Sequence, residues 1–504
     1  MVGDPWVGSV RIMDDALHEM TAARLRDLLR AGELTPTEVA DHFLARIERA
    51  NPGLGAFVSI TPEAARERAA SLERDGAEAR GVLWGLPGGD KDLWLRAGVP
   101  TGLGSRAFAG DDAIVPPVSD EIVEVLDASG MVSLGRTTAP ELGFPAYTEP
   151  LAGPLARNPW DPSLGAGGSS GGAAVAVAAG LLPCAAGSDG GGSVRIPAAA
   201  CGVVGLKPSR GLVPAGSGQE SLGGLVVNGP LARTTEDTAL LLEGMLTRTP
   251  DGRVAHPLTL RAPSARAGEY LAAARRGEVA GEGGEDVRGR FRIGVTTDSA
   301  WDDFYAITTS DDARAALDAG VATLAALGHE VDGLSLEPDP TYGPAFRTLW
   351  MAGASAVPLD DPARLDRLEP LTRWLIGRGR QVPARELAEA LRALTGFERR
   401  LVAQVSRFDA VVTPALAMTP RPLGWFDPED AERNFEQQCQ YTPWTSMLNV
   451  AGLPAITVPT RWTDGGLPMG VQLIGRPGGE TTLLALAAQL EDRLRWTDRR
   501  PPVW

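Results

Sequence analysis

Helical periodicity opens this chain. Thr35-Pro36-Thr37-Glu38 combines an N-cap, a proline at the first helical position and a glutamate placed to close a capping box. Val39, Phe43, Leu44 and Ile47 then recur on one face, which predicts a helix to about Ala50. Thr61-Pro62-Glu63 starts another helix, and residues 1–80 read as a helical cover laid over a sheet. From 81 to 295 short apolar runs alternate with helical patterns. Helices are predicted at 121–128, 173–179 and 235–245, and strands at 131–134 and 183–188. The region 81–245 is therefore an α/β core whose sheet is covered on both faces.

The pattern weakens at 246–290, which is rich in Gly, Ala, Arg and Glu and reads as an insertion or mobile loop. A β-α-β signal follows, with a strand at 291–295, a helix at 311–327 and a strand at 329–331. Residues 338–383 carry Pro and Trp with little periodicity. A long helix is predicted at 384–406, leading into a strand at 410–413. Two apolar runs, 455–458 and 470–474, flank an Asp464-Gly465-Gly466 turn and predict a hairpin, with a closing helix at 481–494. No internal repeat is present, and the whole of 1–504 reads as one domain, with 338–446 its variable part.

Composition narrows the partners. The 504 residues are 43% hydrophobic and 22% charged, a globular balance rather than a disordered one. Asp and Glu outnumber Lys and Arg by 64 to 48, and a net charge of −16 argues against nucleic acid or an anionic membrane as partner. Cys184, Cys201 and Cys439 lie far apart, with no CxxC spacing, so a disulfide framework or structural zinc site is not expected and a reduced, cytoplasmic setting is. The first 20 residues contain Asp4, Asp14 and Asp15 and no unbroken apolar stretch, so no signal peptide is expected. The longest small apolar run, 173–186, is too short for a membrane span and predicts a buried helix.

Chemistry concentrates in two glycine-bracketed serines. Ser169 lies in Gly167-Gly168-Ser169-Ser170-Gly171-Gly172. Ser193 follows 24 positions later in Asp189-Gly190-Gly191-Gly192-Ser193-Val194-Arg195. Glycines allow close backbone approach and conformations that a Cβ forbids. A phosphate-binding reading of the first run lacks the Gly-Lys-Ser/Thr that should follow it. A serine nucleophile needs a base. None of the four histidines, His18, His42, His256 and His329, accompanies either serine, and no G-x-S-x-G elbow exists. The alternative base is a lysine, and Lys91 in Gly88-Gly89-Asp90-Lys91-Asp92 is the candidate.

These segments together resemble the amidase signature family. Residues 167–208, GGSSGGAAVAVAAGLLPCAAGSDGGGSVRIPAAACGVVGLKP, are similar to its signature, and 85–105, GLPGGDKDLWLRAGVPTGLGS, to its lysine segment. Residues 229–234 (GPLART) and 449–476 (NVAGLPAITVPTRWTDGGLPMGVQLIGR) resemble further family blocks in family order, so the similarity runs from about residue 20 to 495. The resemblance implies an α/β/α sandwich with a large mixed central sheet, and an amidohydrolase needing no metal or organic cofactor. It implies Ser193 as nucleophile, Ser169 as bridging serine after a cis peptide bond, and Lys91 as base. A lysine serves as base only when neutral, so burial must bring its pKa down from about 10 toward neutrality. The amides of Gly190, Gly191, Gly192 and Ser193 are the candidate oxyanion hole, and Ser170, Asp189 and Arg195 are expected to hold the loops in shape.

Two departures from the family pattern matter. Gly88, Gly89 and Asp90 precede the lysine where apolar residues are usual, and near Lys91 in space Asp90 would favour the charged amine; in a strand it would face away. Leu93 replaces a common asparagine. For the substrate pocket, the candidates are Phe144, Tyr147, Trp350, Trp425, Tyr441 and Trp444. The substrate class implied is a small linear or cyclic amide, an anilide or a carbamate, with water as co-substrate and a homodimer as the family-level expectation. The rival reading is the glutaminase component of an amidotransferase complex, which delivers ammonia to a partner.

Overall fold

The computed structural model describes residues 14–75, 81–215, 221–246, 259–261, 265–280 and 287–504. The chain opens with helices Ala22–Ala31, Pro36–Leu54 and Pro62–Arg74. The capping box at Thr35 and Glu38 forms as its residues predict. A small three-stranded sheet accompanies them, built from β1 (Phe57–Ile60), β2 (Pro87–Lys91) and β3 (Val132–Thr137) in the order β1-β3-β2. Its β1 pairs antiparallel to β3, and β2 parallel.

The central sheet has eight strands. Its first three are β4 (Cys184–Asp189), β5 (Val204–Lys207) and β6 (Val227–Ala232). After a short antiparallel pair, β7 (Val279–Ala280) and β8 (Val287–Arg288), come β9 (Arg292–Val295), β10 (Glu330–Gly333), β11 (Ala410–Pro414), β12 (Ala455–Trp462) and β13 (Pro468–Gly475). The order is β10-β9-β11-β13-β12-β5-β6-β4. Strands β10, β9 and β11 run parallel and the other pairings are antiparallel, so the sheet is mixed. Every residue of β11 and β13 is buried, which requires cover on both faces. Helices Arg195–Cys201, Asp311–Ala326 and Glu480–Leu494 supply part of it, packing on β12 and β13.

Three expectations change. The run 173–186 is not one helix: the helix ends at Ala178, Gly180 turns with φ +65°, and β4 begins at Cys184. Residues 338–383 are mostly helical, with Tyr342–Ser355 and Pro370–Gly379 burying aromatic and aliphatic faces; Pro344, Pro362 and Pro370 all sit in first turns, where proline is tolerated. Within 246–290, helix Glu269–Arg276 packs on Thr235–Met245 and the closing helix; residues 247–258, 262–264 and 281–286 lie outside the described residues, as does His256. Among the described residues no helix is long and apolar enough to cross a membrane.

Candidate active site

Three loops and strand ends meet at the edge of the two sheets. Lys91 ends β2, which lies against β4. Ser169 precedes helix Gly171–Ala178, and Ser193 sits between β4 and helix Arg195–Cys201. The Ser170 amide donates to the Ser193 carbonyl at 3.1 Å, which ties the two serine loops together. The Gly168–Ser169 peptide is cis.

Lys91 is fully buried, and its Nζ lies 2.9 Å from Ser169 Oγ, 2.9 Å from Ser188 Oγ and 3.2 Å from the Ser188 carbonyl. Burial brings its pKa down from 10.5 to about 7, against the pull of the Asp189 carboxylate. Asp90 takes no part in this. The pleat sends adjacent side chains to opposite faces, and the Asp90 carboxylate accepts from Arg96 at 2.6 and 3.1 Å and from Ser133 Oγ at 2.9 Å. The glycines before it have a packing reason. A Cβ on Gly88 would lie 2.3 Å from Met131 Sδ, and one on Gly89 2.9 Å from Thr137 Cγ2. The sequence departure at 88–90 thus reflects a tightly paired strand with an ion pair on its far side.

Asp189 and Arg195 shape the Ser193 loop from within. Arg195 donates to both Asp189 oxygens at 2.9 and 3.0 Å, and also to Asn449 Oδ1, Gln472 Oε1 and the Thr445 carbonyl. Burial pushes the Asp189 carboxyl up, but the Arg195 charge and its hydrogen bonds, with Lys207 and Asn449, hold it well below the usual carboxylate range. Asp189 accepts from the Gly192 amide at 2.7 Å and the Val194 amide at 3.1 Å, closing the turn that carries Ser193. One expectation needs correction here. The Gly192 N–H points at Asp189, which leaves Gly190, Gly191 and Ser193 as the candidate oxyanion donors of this loop. Gly192 has φ +133°, and a Cβ there would meet Thr445 Oγ1 at 2.5 Å.

A small cavity, about 50 Å³, opens beside Ser193 and Gly191. Phe144 and Trp350 line it, as do Trp301, Phe346 and Phe435. The other predicted pocket residues pack elsewhere. Tyr147 stacks on Phe426 at 4.2 Å and accepts from Asn434; Trp425 and Tyr441 pack edge-on against the same Phe426. Trp444 is fully buried and donates to the Thr297 carbonyl. These rings fill space behind the site because their faces are taken by neighbours. Sequence reading missed Ser188 and, in the cavity wall, Phe435, Gln438, Cys439 and Thr442. The signal for the last four was present: they fall at i, i+3, i+4 and i+7, one face of the helix Ala431–Tyr441 and its cap.

Among the described residues, His18, His42 and His329 lie outside this constellation. His18 stacks on His42, and burial, followed by the Arg46 charge, lowers the His18 pKa to about 4; His329 accepts from the Phe291 amide. All three cysteines are buried and free, and among the described residues no three His, Cys, Asp or Glu side chains converge to hold a metal.

The model of the family described as Amidase matches residues 38–484. AmiB2 of Mycobacterium tuberculosis, which carries an amidase name, is 36% identical over 490 residues, spanning 96% of this chain and 98% of the relative. A glutamyl-tRNA(Gln) amidotransferase component from Chloroflexus aggregans is 33% identical over 524 residues, spanning 97% and 99%. Among solved structures, a 6-aminohexanoate cyclic dimer hydrolase complexed with substrate superposes with a TM-score of 0.83 at 29% identity, covering 97% of this chain and 99% of that one.

Proposed function

Because the chain belongs to the amidase family and is an amidohydrolase acting on carbon–nitrogen bonds, we propose that it cleaves a small amide, anilide or carbamate through an acyl-enzyme on Ser193, with Lys91 as base and Ser169 as relay. The observation that carries this reading is Lys91, a fully buried amine with its pKa brought to about 7, 2.9 Å from the Ser169 hydroxyl. A neutral amine has one lone pair and two N–H donors. Its donors match the two Ser188 oxygens, and its lone pair matches the Ser169 O–H.

In this mechanism Ser169 passes its proton to Lys91 as it takes the proton of Ser193. The Ser193 oxygen forms its bond to the substrate carbonyl carbon. The carbonyl oxygen, now negative, faces the amides of Gly190, Gly191 and Ser193, donors worth roughly 3–4 kcal/mol each in other enzymes. Collapse breaks the C–N bond as Ser169 returns a proton to the leaving nitrogen and regains one from Lys91. Water then repeats the relay on the ester, releasing the acid and restoring Ser193. Ser170, Asp189 and Arg195 act as supports.

Replacing Ser193 with Ala should abolish amide turnover and the acyl adduct that intact mass spectrometry should detect on the wild type; turnover that survives unchanged rejects the assignment. The similarity to an amidotransferase component keeps a second reading, a glutaminase working within a complex. Glutamine carries an ammonium and a carboxylate, and no charged side chain lines the cavity beside Ser193. Glutamine hydrolysis together with copurification of a second protein would favour that reading.

A further inference from the structure

We propose that the ion pair between Arg347 and Glu432 is a latch that sets how large a substrate the cavity beside Ser193 admits. The inference rests on Ser193 as nucleophile. At about 50 Å³ the cavity is small, since a single water takes about 30 Å³ of the liquid. A substrate of any bulk reaches Ser193 there only if a wall gives way.

Most of the walls are fixed. Gly191, Ser193 and Ile196 belong to the loop and helix that Asp189 and Arg195 hold from within. Trp301 is buried, with its indole donating to Ser446 Oγ at 3.0 Å and its backbone amide to Ser299 Oγ at 3.1 Å. The wall that remains is a seam between two helices. Tyr342–Ser355 contributes Phe346 and Trp350, and Ala431–Tyr441 contributes Phe435 and Cys439. Among the described residues, the pairing of Arg347 with Glu432 is the one polar tie between these two helices.

Arg347 also holds the seam through rings. Its guanidinium lies 5.6 Å from the centre of the Phe435 ring, 5.7 Å from that of Phe304 and 5.8 Å from that of Trp374. Its Nη1 donates to the Tyr305 hydroxyl at 3.3 Å. Phe435 lines the cavity, so Arg347 backs a wall one ring thick. Arg347 itself lines an outer groove of about 380 Å³, together with Phe304, Met351 and Glu386. When the guanidinium leaves Phe435 and Glu432, the ring is free to move outward and the cavity joins the groove. Glu386 there offers the arginine another carboxylate to face.

The energetics suit a latch. Glu432 is 56% exposed, and an ion pair so open to water contributes little, so a small change reverses the balance. The fully buried pair of Arg195 and Asp189 is the opposite case and stays shut.

The test uses two sulfonyl fluorides on the full chain. Each forms a bond from sulfur to a serine oxygen, breaks its S–F bond and releases hydrogen fluoride. Methanesulfonyl fluoride brings a methyl group, and phenylmethanesulfonyl fluoride adds a ring. Intact mass follows the adduct on Ser193, identified by its absence from Ser193→Ala. Glu432→Gln and Glu432→Lys should raise the ratio of phenylmethyl to methyl labelling rates by about threefold or more at 0.1 M salt. The methyl rate should stay within about twofold of wild type. Raising the salt to 1 M shortens the screening length from about 10 to about 3 Å. That change should raise the ratio in the wild type but not in Glu432→Gln, which controls for the other effects of salt. Because Glu432 is exposed both variants should fold, and urea unfolding checks this. An unchanged ratio in both folded variants, or a salt response that Glu432→Gln keeps in full, overturns the latch. Failure of both fluorides to label Ser193 in the wild type instead overturns the nucleophile on which it rests, and the two failures are distinct.

Discussion

Lys91 offers the most direct check on the proposed chemistry, because in that mechanism its protonation sets the rate. An unperturbed lysine titrates at 10.5, and burial in this site brings Lys91 to about 7. At pH 7 the neutral fraction therefore rises from roughly 3 in 10⁴ to about one half, a gain on the order of 10³ in competent base. With substrate at low concentration, kcat/KM should climb about tenfold per unit below pH 7 and level off above pH 8. The assay is the pH profile of amide hydrolysis between about pH 5.5 and 9.5, alongside Lys91→Arg, whose guanidinium cannot deprotonate, and Lys91→Met. Both variants should lose at least about 10³-fold in kcat/KM. Stability carries the same titration. Between pH 7 and 10.5 the unfolded chain holds the Lys91 proton and the folded one does not, so this group makes wild-type stability rise with pH in that window. The stability of Lys91→Met relative to wild type should accordingly fall across it. A flat profile, an inflection above about pH 9, or a Lys91→Arg protein keeping more than about a tenth of the wild-type rate refutes the base assignment.

Asp90→Asn should leave the inflection of that profile within about 0.5 unit, because its carboxylate is held by Arg96 and Ser133 on the far face of β2; a downward shift of a full unit would show that it acts on Lys91. The same variant should lower stability, read by urea unfolding, since Arg96 loses one of its two carboxylate partners. Arg195→Met leaves Asp189 charged and fully buried without its bidentate partner, and should cost about 3–5 kcal/mol in urea unfolding together with most of the activity. Near-native stability in that variant would contradict the role given to the pair.

Much of this protein was legible as sequence because local rules dominate there. The capping box at Thr35 and Glu38, the β-α-β unit ending in β10, and the hairpin of β12 and β13 each follow from residues close in the chain. The chemical residue types were legible too, since two glycine-bracketed serines and a lysine stand where no histidine does. Tertiary structure alone decided what each side chain faces. It put Asp90 against Arg96 rather than Lys91, because pleating separates neighbours by face. It committed the Gly192 amide to Asp189, because the turn closes on that carboxylate. It also packed Tyr147, Trp425, Tyr441 and Trp444 behind the site while bringing Trp301 and Phe435 to the cavity wall, because an aromatic ring is drawn to any apolar contact and its sequence position does not say which. Lys91 was a candidate base from its sequence context, but only enclosure lowers its pKa toward neutrality, since its amine departs from an ordinary surface lysine through lost solvation, and the elements that remove that water come from distant parts of the chain.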